Sequence, residues 1–360
     1  MRILFLEQQP CIRALKIAVG LRSAIPGLEL GFAYQGKSLT EWYGAGDETF
    51  DRLWRLEGDA RPALAAVLEE FQPELVHCHN LPDALTVLAT DLVAGRVPVI
   101  HDVHDLQSLR QTVYEDGFPE PGDPVDLERR AIEGSDALVT VSNELLEEIR
   151  ARYKVPGPVL VFPNYALQRD LPPASSEHRI SDPPRLVYQG TLSVNGGHYD
   201  LREIFAELVT EGLSLDVYPN RDVPEYRELS GLTLHDPLPP AEMLRELPSY
   251  DFGWCGFNET LNRAHLDTAL PNKLYEYLAC GLPVLAFPHR AITHVLKEQG
   301  LGIVVESACD LGAELARRDL GRLRARVGAA RGRLTVEANI ASVVGLYEAL
   351  ASAPRVAVSS

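Results

Sequence analysis

Lysine is scarce in this chain. Lys16, Lys37, Lys154, Lys273 and Lys297 are all it has among 34 basic residues, so each lysine position carries information. Positive charge as a whole is in deficit: 51 aspartates and glutamates give a formal net charge of −17. That balance argues against nucleic acid as a partner and against a polybasic hold on anionic lipid. A small phosphorylated ligand stays compatible, because it needs only a local positive site. Cysteines are few and scattered, at Cys11, Cys78, Cys255, Cys280 and Cys309, with no C-x-x-C spacing. The odd number predicts buried free thiols in a reducing, cytoplasmic setting rather than a disulfide framework. Long apolar runs are missing too. Ile3–Leu6 stops at Glu7, too short for a signal peptide or a transmembrane segment. There is no Asp-x-Asp pair of the kind metal-dependent sugar transferases use, and no repeat at a solenoid period.

What is present reads as an ordinary globular composition, 46% hydrophobic and 24% charged over 360 residues, enough for two domains. Apolar strands alternate with amphipathic helices along the first half. Strands are expected at 2–6, 28–32, 74–79, 97–104, 137–141 and 159–162, with helices at 12–21, 62–71, 83–93 and 125–133. Another helix starts at Ser142, whose hydroxyl suits an N-cap. An acidic, Pro- and Gly-rich stretch, 105–126, interrupts the series. Composition changes at 169–184, which reads as a linker, and a second alternating series follows from 185. A terminal helix over 337–350 carries Ile340, Val343, Val344, Tyr347 and Leu350 on one stripe. The order predicts an α/β protein of two Rossmann-like domains facing across a cleft, with ligands at the carboxyl ends of the strands.

One stretch is richer than the rest, Leu270-Pro-Asn-Lys-Leu-Tyr-Glu-Tyr-Leu-Ala-Cys-Gly-Leu-Pro-Val-Leu-Ala286. Pro271 suits the start of a helix, Leu274, Tyr277 and Leu278 recur at helical spacing, and Gly281 with Pro283 ends it. Lys273 in the first turn offers a seat for phosphate, and Glu276 a turn deeper can accept from sugar hydroxyls. Read plainly, the same stretch is a helix–strand unit with an exposed Lys and Glu.

The stretch resembles the nucleotide-binding signature of the GT-B glycosyltransferases, closest to the retaining enzymes of glycosyltransferase family four. Glu74-Leu-Val-His-Cys-His79, Pro98–Asp105, Ser135–Ser142, Pro163-Asn164 and Val187–Leu192 resemble further strand-end motifs of that family, so the likeness covers nearly the whole chain. The resemblance implies a first domain over 1–168 that binds the acceptor, joined by the terminal helix at about 336–352. It implies a second domain over 185–335 that binds a nucleotide sugar. It implies transfer of a sugar from a nucleoside diphosphate to a small acceptor with retention of configuration, as a hexosyltransferase-type enzyme without metal or other cofactor. The donor side would be Gly190, Thr191, Arg263, Asn272, Lys273, Leu274 and Glu276, with Glu276 on the ribose. The acceptor side would include Arg13 and His79, and the chemistry would fall to His104 and Thr268.

Three departures stand out. Thr268 occupies the place of the family's second glutamate, with Asp267 beside it. Gly190–Gly197 lacks the two cations that the family places on the diphosphate. Glu7-Gln-Gln-Pro10 replaces a glycine-rich turn. They keep two rivals open: a nucleotide-sugar epimerase of the same fold, and a non-catalytic sugar-nucleotide binder. A zinc reading of His77, His79, His101 and His104 is weak, since only His77 and His79 share a strand face.

Overall fold

The structure is a computed structural model, and it describes residues 1–81, 83–111, 122–173 and 178–353. Residues 112–121 of the acidic stretch lie outside the described residues. The chain divides into two compact units, Met1–Pro163 with the chain from Val336, and Asn164–Thr335.

The first unit runs β1 (Arg2–Glu7), α1 (Ile12–Ala24), β2 (Glu29–Tyr34), α2 (Leu39–Tyr43), β3 (Arg52–Arg55), α3 (Ala60–Phe71), β4 (Leu75–His79), α4 (Ala84–Val93) and β5 (Val99–Val103). It continues with α5 (Pro124–Gly134), β6 (Ala137–Thr140), α6 (Asn143–Arg152) and β7 (Val159–Val161). The strands make a parallel sheet in the order β3-β2-β1-β4-β5-β6-β7. A helix that runs back along the sheet returns the chain to the end where the last strand began, so successive strands here pair in parallel. Ile3, Leu4, Phe5 and Leu6 are therefore wholly buried, covered on both faces. Ser142 caps α6 by accepting from the Leu145 amide at 3.0 Å.

The second unit carries β8 (Arg185–Gly190), α7 (Arg202–Thr210), β9 (Ser214–Pro219), β10 (Leu232–Leu234), α8 (Pro240–Glu246), β11 (Phe252–Trp254) and α9 (Arg263–Leu266). It then has α10 (Asn272–Ala279), β12 (Val284–Ala286), α11 (Arg290–Gln299), β13 (Gly302–Val304), α12 (Leu311–Ala316) and α13 (Leu320–Ala330). Its parallel sheet has the order β10-β9-β8-β11-β12-β13. The core beneath it joins Tyr188, Phe205, Tyr226, Phe252 and Trp254, all wholly buried.

Two features differ from the sequence expectation. The described parts of the expected linker, residues 169–173 and 178–184, lie within the second unit. Asp251 pairs with His178 at 2.6 Å and accepts from the Ser181 amide, while Arg331 donates to the Pro172 carbonyl. The terminal helix is broken at Ile340 into α14 (Val336–Asn339) and α15 (Ala341–Ser352). Its apolar stripe still does the packing, with Val343, Tyr347 and Leu350 buried in the first unit.

Candidate functional site

In the second unit the chain order reverses between β8 and β11, and a parallel sheet binds its ligand at the carboxyl side of such a switch point. β8 ends there at Gly190, whose φ of +123° only glycine adopts without strain. α10 lies directly over β11. A Cβ on Gly253 would stand 2.3 Å from the Tyr277 ring, so the missing side chain is what lets the helix settle. The Tyr277 hydroxyl then accepts from the Gln189 amide at 2.9 Å, and the Gln189 side chain donates to Glu276 Oε2 at 2.8 Å. Sheet and helix thus fix Glu276 from both sides.

Lys273 does not bend away to solvent. It is 7% exposed, with its ammonium 3.8 Å from the Tyr188 ring centre and 5.3 Å from that of Phe257. It has no hydrogen-bond partner among the described residues. Burial pushes its pKa down to about 8, against the opposing pull of Cys255 and Glu276. The aromatic faces compensate only in part. A Cβ on Gly190 would stand 3.2 Å from the ammonium, so the glycine turn and the cation share one small space.

The remaining donor-side candidates divide. Asn272 begins α10 and is half-buried. Thr191 accepts from Asn220 at 3.1 Å. Leu274 is a wholly buried core side chain, so only its backbone can face a ligand. Arg263 is an exposed residue paired with Glu259 at 3.0 Å, one turn away. Thr268 is buried and donates to the His265 carbonyl at 2.8 Å. Its neighbour Asp267 is committed to the start of α11, accepting from the Arg290 amide. Sequence reasoning missed Tyr188, Gln189 and Phe257. Gln189 had a signal, as the last strand residue before the glycine turn; the two aromatics had none, since ring positions beneath a lysine follow from packing.

In the first unit the switch point lies between β1 and β4. Leu6 stands opposite Cys78 and His79 opposite Asp102, which aligns the strand ends. Arg13, in the first turn of α1, is buried and donates through Nε to both oxygens of Asp102, at 3.0 and 2.9 Å. Asp102 is wholly buried, and Arg13 holds its carboxyl well below the usual range despite the opposing cost of burial. His77 Nε2 and His79 Nδ1 lie 3.6 and 3.4 Å from the same carboxylate. Burial lowers both ring pKa values, that of His79 to about 4, so both rings are neutral at pH 7. The Tyr347 hydroxyl hydrogen-bonds His77 Nδ1 and ties α15 to β4. His101 points to the opposite face, against Asp83 and Thr86. His104 is half-buried; its backbone amide donates to Asn80 at 2.9 Å, and burial lowers its pKa.

His77, His79 and Asp102 hold ligand-type atoms within 4.8 Å of one another. Their fit to a divalent ion is poor, because the Arg13 guanidinium already sits on the carboxylate and would repel a second cation.

Two sheets of parallel strands, each with a switch point, define a protein of paired Rossmann-like units. Residues 42–165 match the model of glycosyltransferase family 4, and residues 196–326 match that of the C-terminal domain of glucosyltransferase 3-like proteins. No curated protein matches the chain in sequence. Solved structures with the same fold include a glycosyltransferase from Rickettsia africae, with a TM-score of 0.72 at 12% identity, covering 98% of this chain and 99% of that one. A sucrose-phosphate synthase from Thermosynechococcus elongatus gives 0.66 at 16%, covering 97% and 99%. Anabaena HepE, solved in complex with UDP, gives 0.66 at 13%, covering 98% and 100%. The chain has the paired-unit fold of these glycosyltransferase structures, and each of the two glycosyltransferase family models matches one part of it.

Proposed function

We propose that this chain moves a hexose from a nucleoside diphosphate to a hydroxyl of a small acceptor, with retention of configuration and without a metal. The observation that carries the reading is the buried ammonium of Lys273 beside the Gly190 turn, with Glu276 pinned by Gln189. A cation kept out of water at a strand-end switch point is costly unless an anion joins it. A diphosphate would raise the Lys273 pKa again and draw further on the backbone amides of the glycine turn and of the start of α10. Catalysis then rests on holding the leaving diphosphate and placing the reactants, with no side-chain nucleophile. Glu276 would accept from the ribose hydroxyls. His104, neutral through burial, would hydrogen-bond a sugar hydroxyl, and Thr268 would position the backbone at His265. The UDP bound to the Anabaena protein supports a nucleotide ligand. Five cysteines without a disulfide support a reducing compartment. No described helix is long and apolar enough to cross a membrane.

A thermal-shift panel of nucleoside diphosphates selects the base, and calorimetry follows with that diphosphate and its bare nucleoside. Lys273→Ala should weaken the diphosphate by about 1.5–3 kcal/mol more than the nucleoside, the range for a hydrogen bond to a charged group. Equal losses would assign Lys273 to the fold and remove the reading's main support. Product from the donor alone would point to an epimerase; binding without turnover on any acceptor would point to a non-catalytic binder. Turnover should persist in EDTA, since Arg13 occupies the only carboxylate of the His77, His79 and Asp102 group. Loss of activity restored by a divalent ion would reverse that part.

A further inference from the structure

β3 ends the first sheet, and it is the most open of the four edge strands of the two sheets. Three of its four residues, Arg52, Leu53 and Arg55, are exposed, and Trp54 is half-buried. The other edges, β7, β10 and β13, have one exposed residue between them. A bare edge leaves every second N–H and C=O without a ladder partner, which makes it a template for another strand. The Asp51 amide donates to the Leu30 carbonyl at 2.8 Å as the chain joins β2. By the alternation of a strand, the backbone groups of Arg52 and Trp54 then face outward.

Positive charge and proline commonly guard such an edge. β3 holds no proline, and its charges are neutralised. Arg52 lies 3.1 Å from Glu70 and 3.8 Å from Glu29, and Arg55 pairs with Glu41 while lying over the Tyr34 ring. Leu53, between the arginines, is 37% exposed, and Trp42, next to Glu41 in α2, is 45% exposed. These are two of the four exposed large apolar side chains among the described residues.

The edge also matches itself. A two-fold contact sets a strand against its own copy in antiparallel order. With Leu53 on the axis, Leu53 meets the partner's Leu53, Arg52 meets the partner's Trp54 and Asp51 meets the partner's Arg55. The pairs are an apolar contact at the centre, a cation beside an indole on either side, and opposite charges beyond. Arg52 and Trp54 become the residues that exchange backbone hydrogen bonds, as their outward groups require. A shift that puts Trp54 on the axis sets Leu53 against the partner's Arg55 and loses these matches. A membrane surface is the rival occupant. Glu29, Glu41 and Glu70 around the strand, on a chain of net charge −17, argue against anionic lipid.

We infer that β3 pairs antiparallel with β3 of a second copy of this chain, joining two seven-stranded sheets into one across a two-fold axis at Leu53.

Sedimentation equilibrium on the full chain tests the dimer. A reversible dimer is expected, and Leu53→Lys should weaken it by at least ~10-fold, since it sets two like charges opposite each other. Leu53→Cys tests the register, in a Cys309→Ser background because Cys309 is exposed and would form links of its own. An antiparallel pair of this kind holds its Cα atoms about 4.5 Å apart, within reach of a disulfide. Mild oxidation should therefore link the Leu53→Cys chains and leave Val125→Cys, exposed on α5, unlinked. Both positions are exposed, so the variants should melt with the native chain. A monomer at every concentration would overturn the inference. So would a dimer that Leu53→Lys leaves intact, or equal cross-linking at Leu53 and Val125. Co-sedimentation with phosphatidylglycerol vesicles in place of a dimer would assign the edge to a membrane and overturn it as well.

Discussion

Lys273 shows what one residue does when a fold buries it. Its ammonium lies over Tyr188 and has no hydrogen-bonding oxygen among the described residues. Desolvation is the largest influence on it, and moves its pKa from 10.5 to about 8. Between those pH values the folded chain binds fewer protons at this site than the unfolded chain, so stability rises with pH across that window. The penalty is in full force below about pH 8. Lys273→Met, which keeps the length and drops the charge, should therefore stabilise the protein at pH 7 by about 3–3.5 kcal/mol, at about 1.4 kcal/mol per pKa unit. The advantage should shrink as pH rises from 8 toward 10.5. Melting curves of the two proteins over that range would show it, and an advantage independent of pH would mean that packing, not charge, is responsible. Arg13 makes the opposite case. Its Nε donates to both oxygens of Asp102, so the two charges form a buried pair. Removing one partner of such a pair strands the other.

At the scale of elements, α10 and β11 depend on a single missing side chain. Tyr277 occupies the space above Gly253 and reaches Gln189, which in turn holds Glu276. Gly253→Ala drives a methyl into that ring, so it should destabilise by about 1–3 kcal/mol, as overpacking does, and weaken nucleoside diphosphate binding with it. Gly328 in α13 has nothing within 4 Å of an added Cβ and is exposed. Gly328→Ala should instead stabilise by about 0.5–1 kcal/mol through helix entropy, with binding unchanged. Thermal melts and calorimetry on the pair check both signs; like signs would mean that the contact at Gly253 relaxes freely. The elements hardest to anticipate were the edge strands β3 and β10. β3 is largely exposed, with arginine at each end, so it lacks the apolar run that marks the central strands.

The whole molecule is asymmetric in how its units close. The second unit is one continuous segment, whereas the first takes its last helices from the far end of the chain. Val343, Tyr347 and Leu350 are buried there, and Tyr347 bonds His77. A fragment 164–335 should fold alone and melt cooperatively. A fragment 1–163 should stay aggregation-prone until a peptide spanning 336–353 is supplied, because α15 covers apolar surface that would otherwise face water. Circular dichroism with and without the peptide decides this; a stable, monomeric 1–163 would show that the terminal helices are dispensable.

Much of this was legible in the residues. The alternation of apolar runs and amphipathic helices determined two parallel α/β units, since periodicity is local and a crossover leaves the chain one way to return. Leu270–Ala286 determined the helix and strand that carry Lys273 and Glu276, because caps, glycine and proline act within a turn of themselves. Tertiary structure decided the rest. Whether Lys273 faced water or aromatic rings, whether Arg13 found a carboxylate beside it, and whether His178 and Ser181 reached Asp251 all depend on residues tens of positions away. Burial and pairing are set by what the fold brings alongside, and no spacing along the chain encodes that.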